Sequence, residues 1–401
     1  MTPVLSNESA EEEWAPTLAR AANLAAELAP HADETEKARQ VRDEAMLALY
    51  REHLLRHFQP ELYGGDCAPW GIQFDLGRLL AQACPSTAWI ATVVAANNSY
   101  ACRFPKSVQE EIYGDGPDTL VANASVQKDV RVTPEKGGFR LSGRWKFASG
   151  IDHAHWILIS GTVSPADDVP ASPPQFMLIP ARDWVIEDTW HVSGMRGTGS
   201  KDILVEGAFV PADRALPMAD FWGAGPPGGL PNGPAIWRLP LAGYFGTSLL
   251  GPIVGMAEGG LKAYVDITGV RVGVMTGEAV ANQPTVQLRV AESSAEIDTA
   301  RRVLKAQIHR LRCFGEAGEA PDTDTVLAMT RDRAFATRMC QNALDRLAST
   351  MGAMGIFNGN SVQRQCRDLN AAAMQIAVNY DQGMIPFGQK VLGMEPPTKM
   401  I

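Results

Sequence analysis

The sequence predicts an α+β chain in three successive parts. Apolar residues recur at helical spacing from about residue 8 to 113, and again from about 240 nearly to the end. Between 118 and 212 the period shortens to two, in seven or so short runs with no helical pattern among them. A block of strands flanked by blocks of helices forms its own layer, here a small antiparallel barrel or sandwich. The three parts read as 1–117 helical, 118–215 β, and 235–401 a helical bundle. A Pro/Gly-rich crossing that includes Gly223-Ala224-Gly225-Pro226-Pro227-Gly228-Gly229 joins the last two.

Each element has a local reason. Glu11-Glu12-Glu13 opens the first helix where the helix dipole favours acid. Leu18, Ala21, Ala22, Ala25 and Leu28 form its apolar stripe, and Pro30 ends it. A second helix runs through Val41, Ala45, Met46 and Leu49. A third spans 72–95, interrupted near Pro85, and its segment 86–94 is small and apolar on nearly every side, which predicts a buried helix. Another starts at Pro105. Among the strands, Trp156–Gly161 is almost continuously apolar and reads as central; 164–174, rich in Pro and Asp, reads as a surface loop. Four long helices follow, beginning near 249, 286, 323 and 361 and ending near 378, as an up-and-down bundle.

Composition narrows the function. The chain has 401 residues and a net charge of −9, which argues against nucleic acid or an anionic membrane as partner. No apolar run reaches transmembrane length, and the first residues carry no export signal. Six scattered cysteines without a Cys-x-x-Cys read as reduced thiols of a cytoplasmic protein. His153-x-His155 is the nearest approach to a metal motif, and two histidines without further ligands predict no metal site.

The stretch Gly143-Arg144-Trp145-Lys146-Phe147-Ala148-Ser149-Gly150 concentrates the chemistry. Gly137-Gly138 supplies a hairpin turn ahead of it. Strand alternation then puts Trp145 and Phe147 on one face and Lys146 on the other. Ser149-Gly150 brings a hydroxyl and a bare backbone to the strand end. Two aromatic faces, a small hydroxyl and a close-approach glycine suit a flat, redox-active ring. A plain hairpin with a buried Trp reads the same way, since strands favour aromatics.

Taken with Trp190–Asp202, which contains Gly194-Met195-Arg196-Gly197-Thr198-Gly199-Ser200, with Phe209-Val210-Pro211 and with Arg364-Gln365-Cys366-Arg367-Asp368, this stretch resembles the acyl-CoA dehydrogenase fold over nearly the whole chain. The resemblance implies an N-terminal helical domain, a central antiparallel β-barrel and a C-terminal four-helix bundle. Trp-x-Phe-x-Ser-Gly and the late Arg-Asp helix are similar to one branch, the flavin-dependent monooxygenases that receive reduced flavin from a separate reductase. On that resemblance Ser149 faces the flavin N5 edge, and Trp145 and Phe147 line the ring. Asn123, Ala124 and Ser125 approach its pyrimidine side. Arg271 reaches the phosphate of a neighbouring subunit's flavin, and Gly352 and Phe357, in the 351–357 loop, pack on it. A homotetramer follows.

The implied chemistry needs reduced flavin (FADH2 or FMNH2) and O2, which form a C4a-hydroperoxide that an electron-rich aromatic attacks. Phenol-hydroxylating relatives place histidines where this chain has Asn97-Asn98 and Gln375. An amide cannot titrate but can orient a neutral N–H, so the substrate expected is indole-like rather than a phenol. The alternative is an acyl-CoA dehydrogenase with bound FAD, for which Asp381 is the nearest candidate base.

Overall fold

The computed structural model describes residues 8–163, 173–229 and 237–396. Most of the loop expected at 164–174 lies outside the described residues, as do the first seven residues. The N-terminal helices are α1 (Glu8–Leu28), α2 (Ala32–Ala38), α3 (Asp43–Arg51), α4 (Ile72–Ala83), α5 (Pro85–Ala101) and α6 (Lys106–Tyr113). Pro30 does not stop the chain. It sits in a 3-10 turn, Ala29–His31, that leads directly into α2. Pro85 separates α4 from α5 by taking the first position of α5, where its missing N–H costs nothing. All but one residue of α5 is buried, as its two-sided apolar pattern requires.

Eight strands follow among the described residues: β1 (Val121–Ala124), β2 (Val126–Glu135), β3 (Gly138–Ala148), β4 (Trp156–Gly161), β5 (Gln175–Pro180), β6 (Val185–Glu187), β7 (Lys201–Pro211) and β8 (Ala215–Pro217). They do not close into the expected antiparallel barrel. They form two open four-stranded sheets, ordered β1-β4-β5-β8 and β2-β3-β7-β6. One pairing, β1 with β4, is parallel. Closure would require the edge strands to pair in full; among the described residues the only strand pairing between the two sheets is an isolated bridge between Val132 of β2 and Val163, just after β4. The sheets share one core, in which Leu141 and Val210 of one meet Ile159 and Ile179 of the other. The chain passes from the first sheet to the second at Ser125, between β1 and β2.

After the short α7 (Met218–Trp222), the C-terminal part comprises α8 (Leu250–Val270), α9 (Pro284–Ala317), α10 (Thr323–Ala348), α11 (Ser361–Ala372) and α12 (Tyr380–Val391). α8 packs on α4 and α11, and α10 packs on α9 and α12. The fourth helix ends at 372 rather than 378, and α12 is a fifth helix beyond the four read from periodicity. Among the described residues no helix is long and apolar enough to cross a membrane.

Candidate active site

The site begins with an irregularity in β3. Trp145 pairs with Ile203 of β7 and Ala148 with Lys201, so β3 carries one more residue than β7 between those points. Phe147 absorbs the extra residue at φ 65°, a conformation rare for an aromatic residue. The bulge breaks the alternation assumed from the sequence. Trp145 and Ala148 both point inward and are fully buried, while Phe147 is 54% exposed. Trp145 therefore does not share a face with Phe147 or line a cleft. It sits between the sheets and donates its Nε1–H to the Ser160 carbonyl of β4 at 2.8 Å. Phe147 instead meets Trp190 edge to face, with centroids 6.2 Å apart.

Ser149 and Gly150 follow the bulge. Ser149 Oγ lies 2.7 Å from Ser200 Oγ, and Ser200 Oγ lies 2.7 Å from Thr198 Oγ1. Gly150 has φ 74°, and a Cβ there would stand 3.2 Å from Ile90 Cγ2 of α5. Its N–H donates to the Thr198 carbonyl at 3.1 Å. The strand end is thus held between α5 and the 195–200 turn.

That turn is fastened from behind by α11. Met195, itself at φ 55°, donates its N–H to Asp368 Oδ1 at 2.6 Å. Arg367 donates to the Ser193 carbonyl at 2.6 Å and pairs with Glu36 at 2.7 Å. Burial pushes the Asp368 carboxyl up to about 6, against the Met195 N–H that favours its charge. Gly197 is seated where a Cβ would fall 2.6 Å from Thr35 and 2.9 Å from Ser86.

Asn123 and Ser125 join this region. Val126 pairs with Lys146, which sets Ser125 across from Phe147. Asn123 donates to the Leu158 carbonyl at 3.2 Å, and Ser125 is exposed at the corner between sheets. Asn97 lies on the same helical face of α5 as Ile90 and Val94; it is buried, and its Nδ2 has no partner among the described residues. Asn98 turns away and donates to the Leu55 carbonyl at 3.3 Å. Gln375, half-buried in the turn after α11, accepts from the Ala377 N–H at 2.6 Å. Asp381 is exposed in the first turn of α12.

Arg271 and Gly352 form a second cluster, at the C-terminal ends of α8 and α10. Arg271 donates to the Thr350 carbonyl at 3.1 Å, and a Cβ on Gly352, at φ 63°, would lie 3.2 Å from its guanidinium. Phe357 stands exposed in the same loop, which also exposes Ile356; Val270, the residue before Arg271, is exposed as well. The histidine pair has structural partners: His153 Nε2 meets the Val41 carbonyl at 2.7 Å, and His155 Nδ1 accepts the Leu120 N–H at 3.0 Å. Among the described residues no His/Cys/Asp/Glu group could hold a metal.

A half-exposed aromatic ring, a hydroxyl and a Cβ-free strand end against an apolar helix make a place for a flat heteroaromatic ring, and a flavin fits these residues. The fold and these groups point to the class of flavoproteins. A family model described as acyl-CoA dehydrogenase, C-terminal domain, matches residues 248–380. The chain is 34% identical, over 94% of both chains, to the oxygenase component of an FADH(2)-dependent resorcinol hydroxylase from Rhizobium sp. (strain MTP-10005). It is 32% identical to the oxygenase subunit HsaA of a flavin-dependent monooxygenase from Rhodococcus jostii (strain RHA1), over 93% of this chain and 97% of that one. The structure of XiaF from Streptomyces sp., in complex with FADH2 and glycerol, superposes with a TM-score of 0.90 at 25% identity, covering 98% of this chain and 99% of that one.

The chain belongs to the oxygenase components of flavin-dependent monooxygenases on the acyl-CoA dehydrogenase fold. It is an enzyme that works with reduced flavin and O2. Sequence reasoning missed Ser200, Thr198 and Trp190 as members of the site, although all three lie in or beside the motif that carried the resemblance.

Proposed function

We propose that this oxygenase hydroxylates or epoxidises a small, electron-rich aromatic, with an indole-like ring preferred over a phenol, and draws its reduced flavin from a separate reductase. The observation that supports this site assignment is the end of β3, where Phe147 is exposed and Ser149 half-buried while Trp145 is wholly buried. When bound, reduced flavin supplies O2 activation and the transfer of one oxygen atom to the ring. Phe147 then lines the flavin, Ser149 meets its N5 edge, and Asn123 and Ser125 approach its pyrimidine side. Ile90 and Val94 close the cleft against water, which protects the oxygen-transfer step. Asn97, with a buried amide N–H₂ lacking a partner, and Gln375 orient the substrate. Arg271, Gly352 and Phe357 act across a subunit boundary on a neighbour's flavin, within a homotetramer.

A phenol is the second reading, because the 34%-identical relative is named for resorcinol. The acyl-CoA dehydrogenase alternative requires a carboxylate base at the substrate. Asp381 is exposed on α12, and Asp368 is committed to the Met195 N–H. The deciding experiment supplies reduced flavin and O2 and screens indole, phenols and sulfur heterocycles for oxygenated product. Turnover of none of them, with oxidation of an acyl thioester instead, overturns the reading.

A further inference from the structure

Counting protons along the hydroxyls behind Ser149 fixes the direction of each bond. A serine or threonine hydroxyl has one proton to donate and lone pairs with which to accept. Thr198 donates its proton to the Met195 carbonyl at 2.9 Å, an oxygen with no proton to return. The 2.7 Å contact between Thr198 and Ser200 is therefore donated by Ser200. Ser200 is only 4% exposed, and its single proton is now used. The 2.7 Å contact between Ser200 and Ser149 is then donated by Ser149. The chain runs one way: Ser149 to Ser200 to Thr198 to Met195. Its terminal carbonyl is held in place by two further donors, Trp190 Nε1 at 3.1 Å and the Thr198 N–H at 3.2 Å. Ser149 is half-buried, and toward the cleft its oxygen can only accept.

We propose that Ser200 and Thr198 are positioning residues that commit the Ser149 proton inward, so that the cleft favours reduced over oxidised flavin. Reduced flavin carries a hydrogen on N5 and can donate to Ser149. Oxidised flavin presents a lone pair there, and two facing lone pairs make no hydrogen bond. The proposal rests on Ser149 facing N5, as read above.

The test is binding, not turnover. Full-length protein is titrated anaerobically with oxidised and with chemically reduced FAD and FMN, and the ratio of the two dissociation constants is the readout. In the wild type reduced flavin binds more tightly. Ser200→Ala and Thr198→Val each remove an acceptor from the chain and free Ser149 to donate outward. Each lowers the preference by about two- to tenfold, the worth of one hydrogen bond, mainly through tighter binding of oxidised flavin. Thr198→Val is close to isosteric, so it stands in if Ser200→Ala does not fold. Ser200→Thr keeps the hydroxyl and keeps the ratio, which a purely steric role for Ser200 would not allow. Ser149→Ala separates the two levels. If it leaves the ratio unchanged, Ser149 does not face N5 and the placement itself fails. If it changes the ratio while Ser200→Ala and Thr198→Val do not, the placement stands and the proton-ordering proposal is overturned.

Discussion

Asp368, on α11, holds the backbone N–H of Met195 at 2.6 Å, and so ties the C-terminal bundle to the turn that carries Thr198 and Ser200. The residues at the two ends are 173 positions apart in sequence. Met195 has a left-handed backbone, which costs about 1–2 kcal/mol for an L-residue, so the turn depends on such a partner.

This pairing predicts a pH dependence of stability. Burial raises the Asp368 carboxyl from 3.8 to about 6. The folded state then binds more protons than the unfolded state between those values, so stability falls as pH rises through that window. The contribution is fully present below about pH 4 and lost above about pH 6. A gap of about two units corresponds to about 3 kcal/mol. Asp368→Asn keeps an acceptor for Met195 and does not titrate. Urea unfolding at pH 4.5 and 7.5 should show the mutant gaining on the wild type at the higher pH. A constant difference across both would show that Asp368 does not titrate in this range.

Trp145 and Phe147, two residues apart, should respond in opposite ways. Trp145→Phe removes the donor to the buried Ser160 carbonyl. The expected cost is about 1–3 kcal/mol of stability, with flavin affinity little changed. Phe147→Ala removes a ring that is 54% exposed, so stability changes little and flavin affinity falls. Thermal unfolding and flavin titration on both variants check this. A Trp145→Phe variant that loses flavin while keeping its stability would return Trp145 to the cleft.

Ser149→Ala is expected to affect coupling more than folding. Loss of a single hydrogen bond is worth about 0.5–1.5 kcal/mol, so the ratio of hydrogen peroxide to oxygenated product should rise by about two- to tenfold. An unchanged ratio would remove Ser149 from the reaction.

What could be read from the sequence was local. Helical and strand periods separate the helical ends from the β centre, and the Gly194–Ser200 run lies in the turn that meets Ser149 and Gly150. Long-range pairing was not legible. Nothing in Val121–Ala124 announces a parallel partner in Trp156–Ile159, so strand spacing alone suggests a barrel where the protein has two open sheets. Alternation placed Trp145 beside Phe147 because a bulge leaves little trace in the sequence when its odd residue is not glycine. The hydroxyl pair Ser149 and Ser200 is separated by 51 residues and is visible only once β3 and β7 pair. α12 carries its own start signal in the sequence. Asn379 accepts the Gln382 N–H at 3.2 Å as an N-cap, and Asp381 follows it in the first turn, where acid suits the dipole.

Arg271 provides the test of assembly. Its guanidinium sits beside Gly352 and next to the exposed side chains of Val270, Ile356 and Phe357. An exposed apolar surface of this kind, together with the proposed reach of Arg271 to a neighbour's flavin, predicts a symmetric homotetramer. Light scattering at micromolar concentration should return four times the chain mass. Arg271→Ala should weaken flavin binding by about tenfold or more, as expected for loss of a hydrogen bond to a charged group, without unfolding the protein. A monomeric mass would sink the assembly, and unaltered flavin affinity would sink the role of Arg271.

Substrate class is the last prediction. A phenol gains reactivity mainly by losing its proton as it attacks, and a positioned base contributes about 10²–10⁴-fold. Asn97 on α5 and Gln375 after α11, proposed above to orient the substrate, carry amides that do not titrate. The Asn97 amide is buried with its Nδ2 unpaired; an amide offers both a donor and an acceptor, and its oxygen is the atom that accepts an indole N–H. Indole C3 is already nucleophilic and needs only orientation and burial, the latter worth about 25 cal/mol per Å² of apolar surface. Comparing kcat/KM for indole and a simple phenol from about pH 6 to 9 covers the range in which a histidine-like base titrates. Indole should be preferred, with a flat profile. Asn97→His should introduce a titrating limb and shift preference toward the phenol. A wild-type enzyme that prefers phenol by about tenfold or more, with a group titrating near neutrality, would mean that another residue serves as the base and that the amides do not select the substrate.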